Sequence, residues 1–199
     1  EFYLEVMKLA RKEGLYNVWV SNGFANPEPV REVCKYFDAV NVDMKGGVKF
    51  YQQLCGIPNE KPVQEALKVY KKQGVWIEVT NLIIPGFNDK PEQIKTLVSW
   101  VLESLGEKTP MHFSAFHPSY KLDYLPLTPA EKILQAQKLA QESGMKYAYA
   151  GNLGLEESSY CPKCKSLLVR RRYYNAEVLG FKGKKCAKCG LDLSKDFVL

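Results

Sequence analysis

Apolar residues recur along the first 155 positions with two alternating spacings. Stretches with an apolar residue every three or four positions predict helices buried along one face, near residues 2–13, 26–34, 63–73, 91–105 and 128–143. Short β-rich runs alternate with them, at 16–21, 39–43, 75–84, 111–116 and 146–150. Helices that stop at glycine before an apolar strand are typical of repeated βα units. The pattern therefore predicts an α/β fold with five parallel strands covered by helices.

Asparagine, threonine and proline mark where two of these helices begin. Asn26-Pro27 predicts an N-cap followed by proline at the first helical position. Thr128-Pro129-Ala130-Glu131 predicts a capping box, in which the Thr128 hydroxyl and the Glu131 carboxylate cap the first turn.

Two architectures satisfy this order of elements, a doubly wound sheet and part of a (β/α) barrel. No G-x-G-x-x-G motif follows any predicted strand, so a dinucleotide-binding fold has no support. The polar side chains at the strand ends favour part of a barrel, because such groups gather along one edge of that fold.

Every predicted strand ends in side chains that can bind polar groups. They are Ser21 and Asn22, Asp43 and Lys45, Thr80 and Asn81, Ser114 and His117, and Asn152. In parallel α/β folds, ligand-binding groups gather at this carboxyl edge of the sheet. For Ser21, Thr80, Asn152 and His117, an ordinary structural role is an equal alternative. His112 alternates to the other side of its strand and is predicted to be structural.

Asp43 and Lys45 are the most informative of these residues. They are two positions apart at the end of an apolar strand that breaks at Gly46-Gly47, so both side chains are expected to reach one space. A charged pair that leaves the end of a buried strand costs stability unless something is bound there. The pair therefore predicts a ligand-binding site.

Composition places the chain among ordinary soluble proteins. It has 199 residues, 46% hydrophobic and 25% charged, enough for one sizeable core and a small appendage. No apolar run approaches the roughly 18 residues that cross a bilayer, and no secretory leader is visible. We therefore expect a cytoplasmic protein without membrane contact. The chain opens with Glu1 inside a predicted helix, so we expect it to be part of a longer protein.

The basic charge is concentrated in the tail. Residues 161–199 hold ten lysines and arginines against three acids, whereas residues 1–160 are close to neutral. A solvated charged surface explains this excess better than nucleic-acid binding, although Arg170-Arg-Arg172 and the lysines between Lys182 and Lys185 could meet phosphates.

Four of the six cysteines form two C-x-x-C pairs in the same tail. Cys161 and Cys164 are separated from Cys186 and Cys189 by 21 residues, a spacing close to that of paired zinc knuckles. Residues 167–170 and 176–179 predict a hairpin between the pairs, and hence a small zinc ribbon. Zinc is the expected metal, with iron or an auxiliary iron–sulfur cluster as the alternative.

The chain is accordingly divided into two parts. Residues 1–155 form the barrel part, and residues 156–199 form a zinc-ribbon-like domain with four cysteine ligands. The second part is too short to bury an adequate core, so its fold is expected to depend on the metal.

Several motifs, in this order and at these spacings, resemble the latter part of a radical S-adenosylmethionine (SAM) enzyme of the pyruvate formate-lyase-activating type. They are Ser21-Asn22-Gly23, Asn41-Val-Asp-Met-Lys45, Ile83-Ile-Pro-Gly-Phe-Asn88 and Phe113-Ser-Ala-Phe-His117. The chain is more similar still to the radical SAM protein of the AmmeMemoRadiSam group, through residues 78–86, residues 149–154 and the cysteine-rich tail. The resemblance implies the C-terminal part of a radical SAM (β/α) partial TIM barrel.

The resemblance also implies roles for the polar strand ends. In the activating enzymes, the Asn-Gly turn, the strand-end acid and lysine, and the histidine line the SAM pocket near its methionine moiety. A carboxylate, a cation and a hydrogen-bonding ring suit a zwitterionic amino-acid group beside a sulfonium. The candidate SAM-binding residues are Ser21, Asn22, Asp43, Lys45, Asn81 and His117.

Two positions depart from the activating enzymes. Those enzymes have an acid where this chain has Val20, and an arginine where it has Thr80. The resemblance therefore does not carry over their glycyl-radical substrate, or a cation site that uses the acid.

Radical SAM chemistry needs a 4Fe-4S cluster held by three cysteines in C-x-x-x-C-x-x-C spacing. This sequence has no such triplet, and Cys34 and Cys55 stand far apart and are predicted to be packing residues. The family places the triplet earlier in the chain. We therefore expect the cluster ligands to lie outside these residues, no catalytic residue within them, and no activity from them alone.

Two functions remain open at this point. The first is the C-terminal portion of a radical SAM enzyme, which binds SAM and acts on an unknown protein or small-molecule substrate. The alternative is a zinc-ribbon binding module, in which the barrel part is a scaffold and the basic tail recognises nucleic acid or a protein partner.

Overall fold

The computed structural model describes residues 2–173 and 175–197. Its α-helices are α1 Phe2–Lys12, α2 Pro27–Val33, α3 Val48–Phe50, α4 Lys61–Lys72, α5 Pro91–Ser104 and α6 Ala130–Glu142, and it also has a π-helix at Tyr51–Cys55 and a 3₁₀ helix at Tyr120–Leu122. Its strands are β1 Val18–Ser21, β2 Ala39–Asp43, β3 Trp76–Ile83, β4 Met111–Ala115, β5 Ala148–Gly151, β6 Ser159–Tyr160, β7 Leu167–Arg172, β8 Asn175–Val178, β9 Phe181–Lys182 and β10 Lys185–Cys186. Within these residues, no helix combines the length and the apolar character that crossing a bilayer requires.

The first five strands form one parallel sheet in the order β1-β2-β3-β4-β5. Each strand lies beside its neighbour in the sequence, whereas a doubly wound sheet reverses its order at a switch point. The predicted α/β fold with five parallel strands is therefore confirmed, and the sequential order is that of a (β/α) barrel. The register places Asp43 beside Thr80, and Thr80 beside His112.

The two faces of this sheet have different environments. On one face, Val42, Val79 and Phe113 are fully buried in the core that the sheet shares with the helices. On the other face, the alternate residues of β2, β3 and β4 are only half-buried, and the Thr80 hydroxyl donates to Asn41 Oδ1 at 2.8 Å. Polar side chains can therefore cross from strand to strand on that face.

Gly23 brings the turn after β1 against β2. Its φ of +71° is left-handed, and an added Cβ would lie 2.6 Å from Val42 Cγ1 and 2.8 Å from Val63 Cγ1. Both the backbone conformation and the lack of space restrict this position to glycine.

The capping box predicted at Thr128 is wrong. Thr128 is buried, its hydroxyl donates to the Ile83 carbonyl at 2.6 Å, and it accepts from the Phe116 amide at 3.0 Å. α6 instead begins at Ala130, after Pro129, without a side-chain cap. The hydroxyl therefore bridges the ends of β3 and β4, where the Phe116 amide also donates directly to the Ile83 carbonyl at 3.3 Å.

The tail contains two small antiparallel sheets, β6-β7-β8 and β9-β10. The predicted hairpin is confirmed, since β7 and β8 pair with Val169 opposite Val178 and Arg172 opposite Asn175. The buried core of the tail is small and consists of Cys161, Leu168, Val169, Cys186 and Leu193. The division of the chain at residues 155 and 156 stays a prediction.

Candidate cofactor-binding edge and metal centre

β2 ends in an ion pair at the carboxyl edge of the sheet. The Nζ of Lys45 lies 2.9 Å from Oδ2 of Asp43, and the two side chains are 23% and 32% exposed. The convergence predicted for these two residues is confirmed. Because the pair is partly removed from water yet still accessible, it can bind the charged ends of a small dipolar ligand.

Asn81 lies behind this pair. It is only 1% exposed, and its Nδ2 donates to the Met44 carbonyl at 2.7 Å and to the Lys45 carbonyl at 3.1 Å. This placement differs from the predicted contact with a ligand, because the amide is turned toward the backbone of the turn that carries Lys45.

Ser21 and Asn22 make local hydrogen bonds at the end of β1. The Ser21 hydroxyl accepts from the Gly23 amide at 3.0 Å, and Asn22 Oδ1 accepts from the Phe24 amide at 3.0 Å. Asn22 is exposed and Ser21 is half-buried. Both side chains shape the Asn-Gly turn, and their contact with SAM stays a prediction.

The polar residues that follow β4 and β5 have different surroundings. His117 is exposed at the start of the loop after β4. Asn152, with a left-handed φ of 52°, accepts from the Ala115 amide at 2.7 Å and donates to the Ala115 carbonyl at 2.9 Å. Asn152 therefore extends the pairing of β4 with β5. Within the residues that the structure describes, none of Ser21, Asn22 and His117 is hydrogen-bonded to Asp43 or Lys45.

A cavity of about 640 Å³ opens beside Lys45, and its walls are mostly apolar, with Leu82 and Phe87 among them. Cys55 also lines this cavity and is exposed, so the packing role predicted for it is wrong. Cys34 is buried, and burial raises the pKa of its thiol to about 11, as a packing role requires.

A polar cluster lies at the opposite, amino end of the sheet. His112 Nε2 is 2.8 Å from Glu78 Oε2, and the imidazole stacks on the Tyr149 ring with centroids 5.1 Å apart. Burial raises the pKa of Glu78, but the hydrogen bond and charge of His112 outweigh burial and hold that pKa below its ordinary value. These contacts agree with the structural role predicted for His112, but the side predicted for it is wrong, since His112 lies beside Thr80 on the half-buried face that also carries Asp43. The hydrophobic pattern of the sequence does not indicate that Glu78 and Tyr149 contact His112, because these contacts depend on the register of neighbouring strands.

The tail contacts this cluster through Ser159 and Arg171. The hydroxyls of Tyr149 and Ser159 are 2.6 Å apart, and Arg171 donates to Ser159 Oγ at 2.6 Å. The guanidinium carbon of Arg171 lies 5.9 Å from the centre of the Tyr149 ring. A cavity of about 120 Å³ remains between these residues and Glu78.

Asp196 makes a second connection between the tail and the sheet. Its side chain is fully buried, and it accepts from Lys108 Nζ and from the Tyr147 hydroxyl, each at 2.7 Å. Burial and the bond to Asp196 both raise the pKa of Tyr147. Lys108 and Tyr147 precede β4 and β5, so the tail covers the amino end of the sheet, away from Asp43 and Lys45.

The four tail cysteines converge as the spacing predicted. Their sulfur atoms all lie within 4.8 Å of one another, with 3.7 Å from Cys161 to Cys189 and 3.7 Å from Cys164 to Cys186. A tetrahedral metal with bonds of about 2.3 Å to sulfur separates its ligands by about 3.8 Å. The donor set therefore fits a tetrahedral ion such as Zn²⁺, and rubredoxin-like iron has the same ligands.

Ser166 supports this centre from outside the four ligands. Its Oγ lies 3.1 Å from Cys164 Sγ and 3.4 Å from Cys186 Sγ. The hydroxyl is the largest cause that lowers the pKa of both thiols, and with the backbone amides of Cys189 and Lys188 it lowers that of Cys186 to about 6. Such outer contacts orient thiolate ligands. Only its position two residues after Cys164 could have suggested Ser166 from the sequence.

The three consecutive arginines of the tail are engaged within the chain. Arg170 pairs with Glu177 at 3.2 Å, and Arg172 pairs with Glu156 at 3.1 Å. Arg171 is bound to Ser159, as described above. These contacts reduce the basic surface that could meet phosphates.

The residues present do not fit a SAM-cleaving 4Fe-4S cluster. Among residues 2–173 and 175–197, the tail cysteines are the one group of three or more histidine, cysteine or acidic ligands that could hold a metal. The sequence also lacks the C-x-x-x-C-x-x-C triplet. The ligands of such a cluster are therefore not among these residues.

Comparison with known proteins identifies relatives of the chain. The family model described as the radical SAM superfamily matches residues 1–101. The chain is 42% identical over 194 residues to the uncharacterized protein MJ0808 of Methanocaldococcus jannaschii. That match covers 96% of this chain and 57% of the relative, so the chain spans little more than half the length of that protein.

Solved structures share the fold. A domain of pyruvate-formate lyase-activating enzyme from Bacteroides vulgatus is similar with a TM-score of 0.66 and 18% identity, over 76% of this chain and 90% of that domain. The enzyme anSMEcpe with bound AdoMet and a Kp18Cys peptide is similar with a TM-score of 0.56 and 14% identity, over 84% of this chain and 59% of that one. At these identities the likeness concerns the fold alone.

Proposed function

Because this chain belongs to the radical SAM superfamily, we propose that it is the SAM-binding C-terminal portion of an enzyme of the activating type. The observation that carries this proposal is the ion pair of Asp43 and Lys45. It lies at the carboxyl end of a parallel strand, where α/β folds bind their ligands. Beside it opens a mostly apolar cavity that could receive part of a substrate.

Asp43 and Lys45 would hold the amino-acid end of SAM. The Asp43 carboxylate would accept from the ammonium group, and Lys45 would bind the carboxylate. Because the two side chains already meet in the structure, little ordering remains to be done on binding. Ser21 and Asn22, at the end of the neighbouring strand β1, and His117, after β4 two strands away, are further candidates. When bound, SAM supplies a sulfonium whose reductive cleavage generates a radical that abstracts hydrogen from the substrate.

The cluster that reduces SAM would be bound outside these 199 residues. No cysteine triplet occurs among them, so we expect them to be inactive alone and assign no catalytic residue to them. The substrate is proposed to be a protein or a small molecule.

We assign zinc to the tail cysteines, in a structural role. All four ligand positions are occupied by cysteine, which leaves no open position for a reacting molecule. Two connections, through Ser159 and Asp196, join this centre to the amino end of the sheet.

Nucleic-acid recognition by the tail has less support. Lys163, Lys165 and Lys188 are exposed, but the arginines are engaged within the chain. Binding to DNA or RNA that weakens steeply as salt is raised would favour this alternative.

The test is SAM binding by the protein expressed from its complete reading frame, with the cluster reconstituted without oxygen. We expect a 4Fe-4S electron paramagnetic resonance signal that changes when SAM is added. Lys45→Met should weaken SAM binding by about tenfold or more, because an ammonium–carboxylate contact is lost.

Lys49→Met is the matched control, since Lys49 is exposed in α3 and lies outside the proposed site. Its SAM affinity should equal that of the wild type. A complete protein without a cluster signal, or a Lys45→Met variant with unchanged affinity, would contradict the proposed function.

A further inference from the structure

The backbone amides and carbonyls of Met44 and Lys45 are all hydrogen-bonded. The Met44 amide donates to the Thr80 carbonyl at 2.8 Å, and the Lys45 amide donates to the Tyr51 hydroxyl at 3.2 Å. Both carbonyls accept from side-chain amides. Gly46 and Gly47 follow directly, and glycine has the largest backbone freedom. These four bonds therefore fix the backbone at the end of β2, directly before the two glycines.

Asn81 supplies two of these bonds from β3. Its Nδ2 reaches both the Met44 and the Lys45 carbonyls, and its side chain is almost fully buried. Its Oδ1 is buried and has no partner among the residues that the structure describes. A buried amide oxygen without a partner costs free energy. The contribution of Asn81 therefore comes from the two hydrogen bonds that its Nδ2 donates to the backbone of residues 44 and 45.

Asn88 holds the same carbonyl from the loop after β3. Its Nδ2 donates to the Lys45 carbonyl at 2.5 Å and to the Leu82 carbonyl at 2.8 Å, and its Oδ1 accepts from the Ile84 amide at 2.7 Å. Asn88 is 2% exposed. It therefore ties the end of β2 to the end of β3.

We propose that Asn81 and Asn88 are positioning residues that act through Lys45, fixing the direction in which its ammonium meets Asp43 and the ligand. The inference rests on the proposed SAM site and changes the role predicted for Asn81 from ligand contact to support. Neither side chain needs to touch SAM. Their effect on SAM binding should therefore vanish when Lys45 has no ammonium to position.

A double-mutant cycle tests this dependence. SAM affinity would be measured by equilibrium dialysis for the complete, cluster-loaded protein and its Asn81→Leu, Lys45→Met and doubly substituted variants. Leucine is close in size to asparagine but cannot donate. We expect Asn81→Leu to weaken binding about tenfold in the wild type. In the Lys45→Met background the same change should weaken binding less than about twofold.

Asn17 provides a matched control at the other end of the sheet. Its Nδ2 also donates to two carbonyls, those of Met7 and Tyr36, each at 3.0 Å. We expect Asn17→Leu and Asn81→Leu both to lower the unfolding temperature, but Asn17→Leu to leave SAM affinity within about twofold of the wild type. A purely structural role for Asn81 would make the two variants alike in SAM affinity.

The outcomes separate the two proposals. If Lys45→Met leaves SAM affinity unchanged, the SAM site and the positioning role both fall. If Lys45→Met weakens binding but Asn81→Leu has the same effect in both backgrounds, the site stands and the positioning role is overturned. Asn88→Ser, measured in the same cycle, decides the question if Asn81→Leu does not fold.

Discussion

The two ends of the parallel sheet are built differently. At the carboxyl end, Asp43 and Lys45 form a half-buried pair beside a cavity of about 640 Å³. At the amino end, Asp196 is fully buried between Lys108 and Tyr147. At the carboxyl end the charged groups remain accessible to solvent. At the amino end the buried carboxylate of Asp196 is paired with groups of the same chain.

This difference separates binding from stability. In (β/α) barrels, chemistry gathers at the carboxyl ends of the strands and the amino ends serve the fold. The tail covers the amino end, where Ser159 and Arg171 meet Tyr149. We therefore propose that the cysteine centre belongs to the structural end and that the ion pair belongs to the binding end.

The largest expected effect comes from removing the tail metal. A structural zinc site supplies about 10–16 kcal/mol of binding free energy, so Cys186→Ser/Cys189→Ser should lose the metal and unfold the tail. Elemental analysis should find about one zinc per chain in the wild type and none in the variant. Hydrogen exchange should speed up in β6–β8 while β2 and β3 stay protected, because the two ends are held separately.

Lys188→Ser is the control for this experiment, since Lys188 lies between the two cysteines and is exposed. It should retain the metal. Metal retained in the double cysteine variant would show that the assignment of the ligands is wrong.

An intermediate effect is expected from Asp196→Ala. The change leaves the buried Tyr147 hydroxyl without its acceptor and Lys108 without its partner, at a cost of about 2–3 kcal/mol in unfolding free energy. Chemical denaturation of the metal-loaded protein measures this cost. Lys163→Ala, at an exposed position of the same tail, should leave the denaturation midpoint unchanged. Equal midpoints for the two variants would argue against Asp196 as a connection between tail and sheet.

The smallest effect concerns the pH dependence of stability. The folded-state pKa of Glu78 lies below its ordinary value of 4.5, so its contribution is present above pH 4.5 and is lost as the pH falls through the folded pKa. Since the side chain is about one-third exposed, we expect less than about 1 kcal/mol. Unfolding free energies of the wild type and Glu78→Gln, measured from about pH 6 down to about pH 3.5, should converge as the pH falls. A constant difference over that range would contradict this contribution.

Much of the fold could be predicted because its signals are local. Apolar periods of two and of three to four residues identified the five strands and the helices between them, and glycines marked where helices end. The strand ends were displaced by one or two residues, as for β1 and β5, because ladder pairing with a neighbour decides where a strand stops. Thr128 was misassigned for a similar reason, since its hydroxyl bonds to β3 and β4 rather than to its own helix.

The candidate sites were predictable only in part. The cysteine spacing predicted the metal centre, and the two-residue separation of Asp43 and Lys45 predicted their pairing. The exposed position of Cys55 was not predictable, because a lone cysteine carries no periodic signal of its surroundings.

The order of βα units, the four-cysteine centre and the charged pair at the end of β2 can all be read from the amino-acid sequence, because each depends on local spacing along the chain. The contacts of Asn81 and Asn88 with the backbone of Lys45, and the burial of Asp196 at the other end of the sheet, emerge from the folded chain alone. The physical reason is that these contacts join residues 36 to 88 positions apart, and strand register and packing fix which side chains meet across such separations.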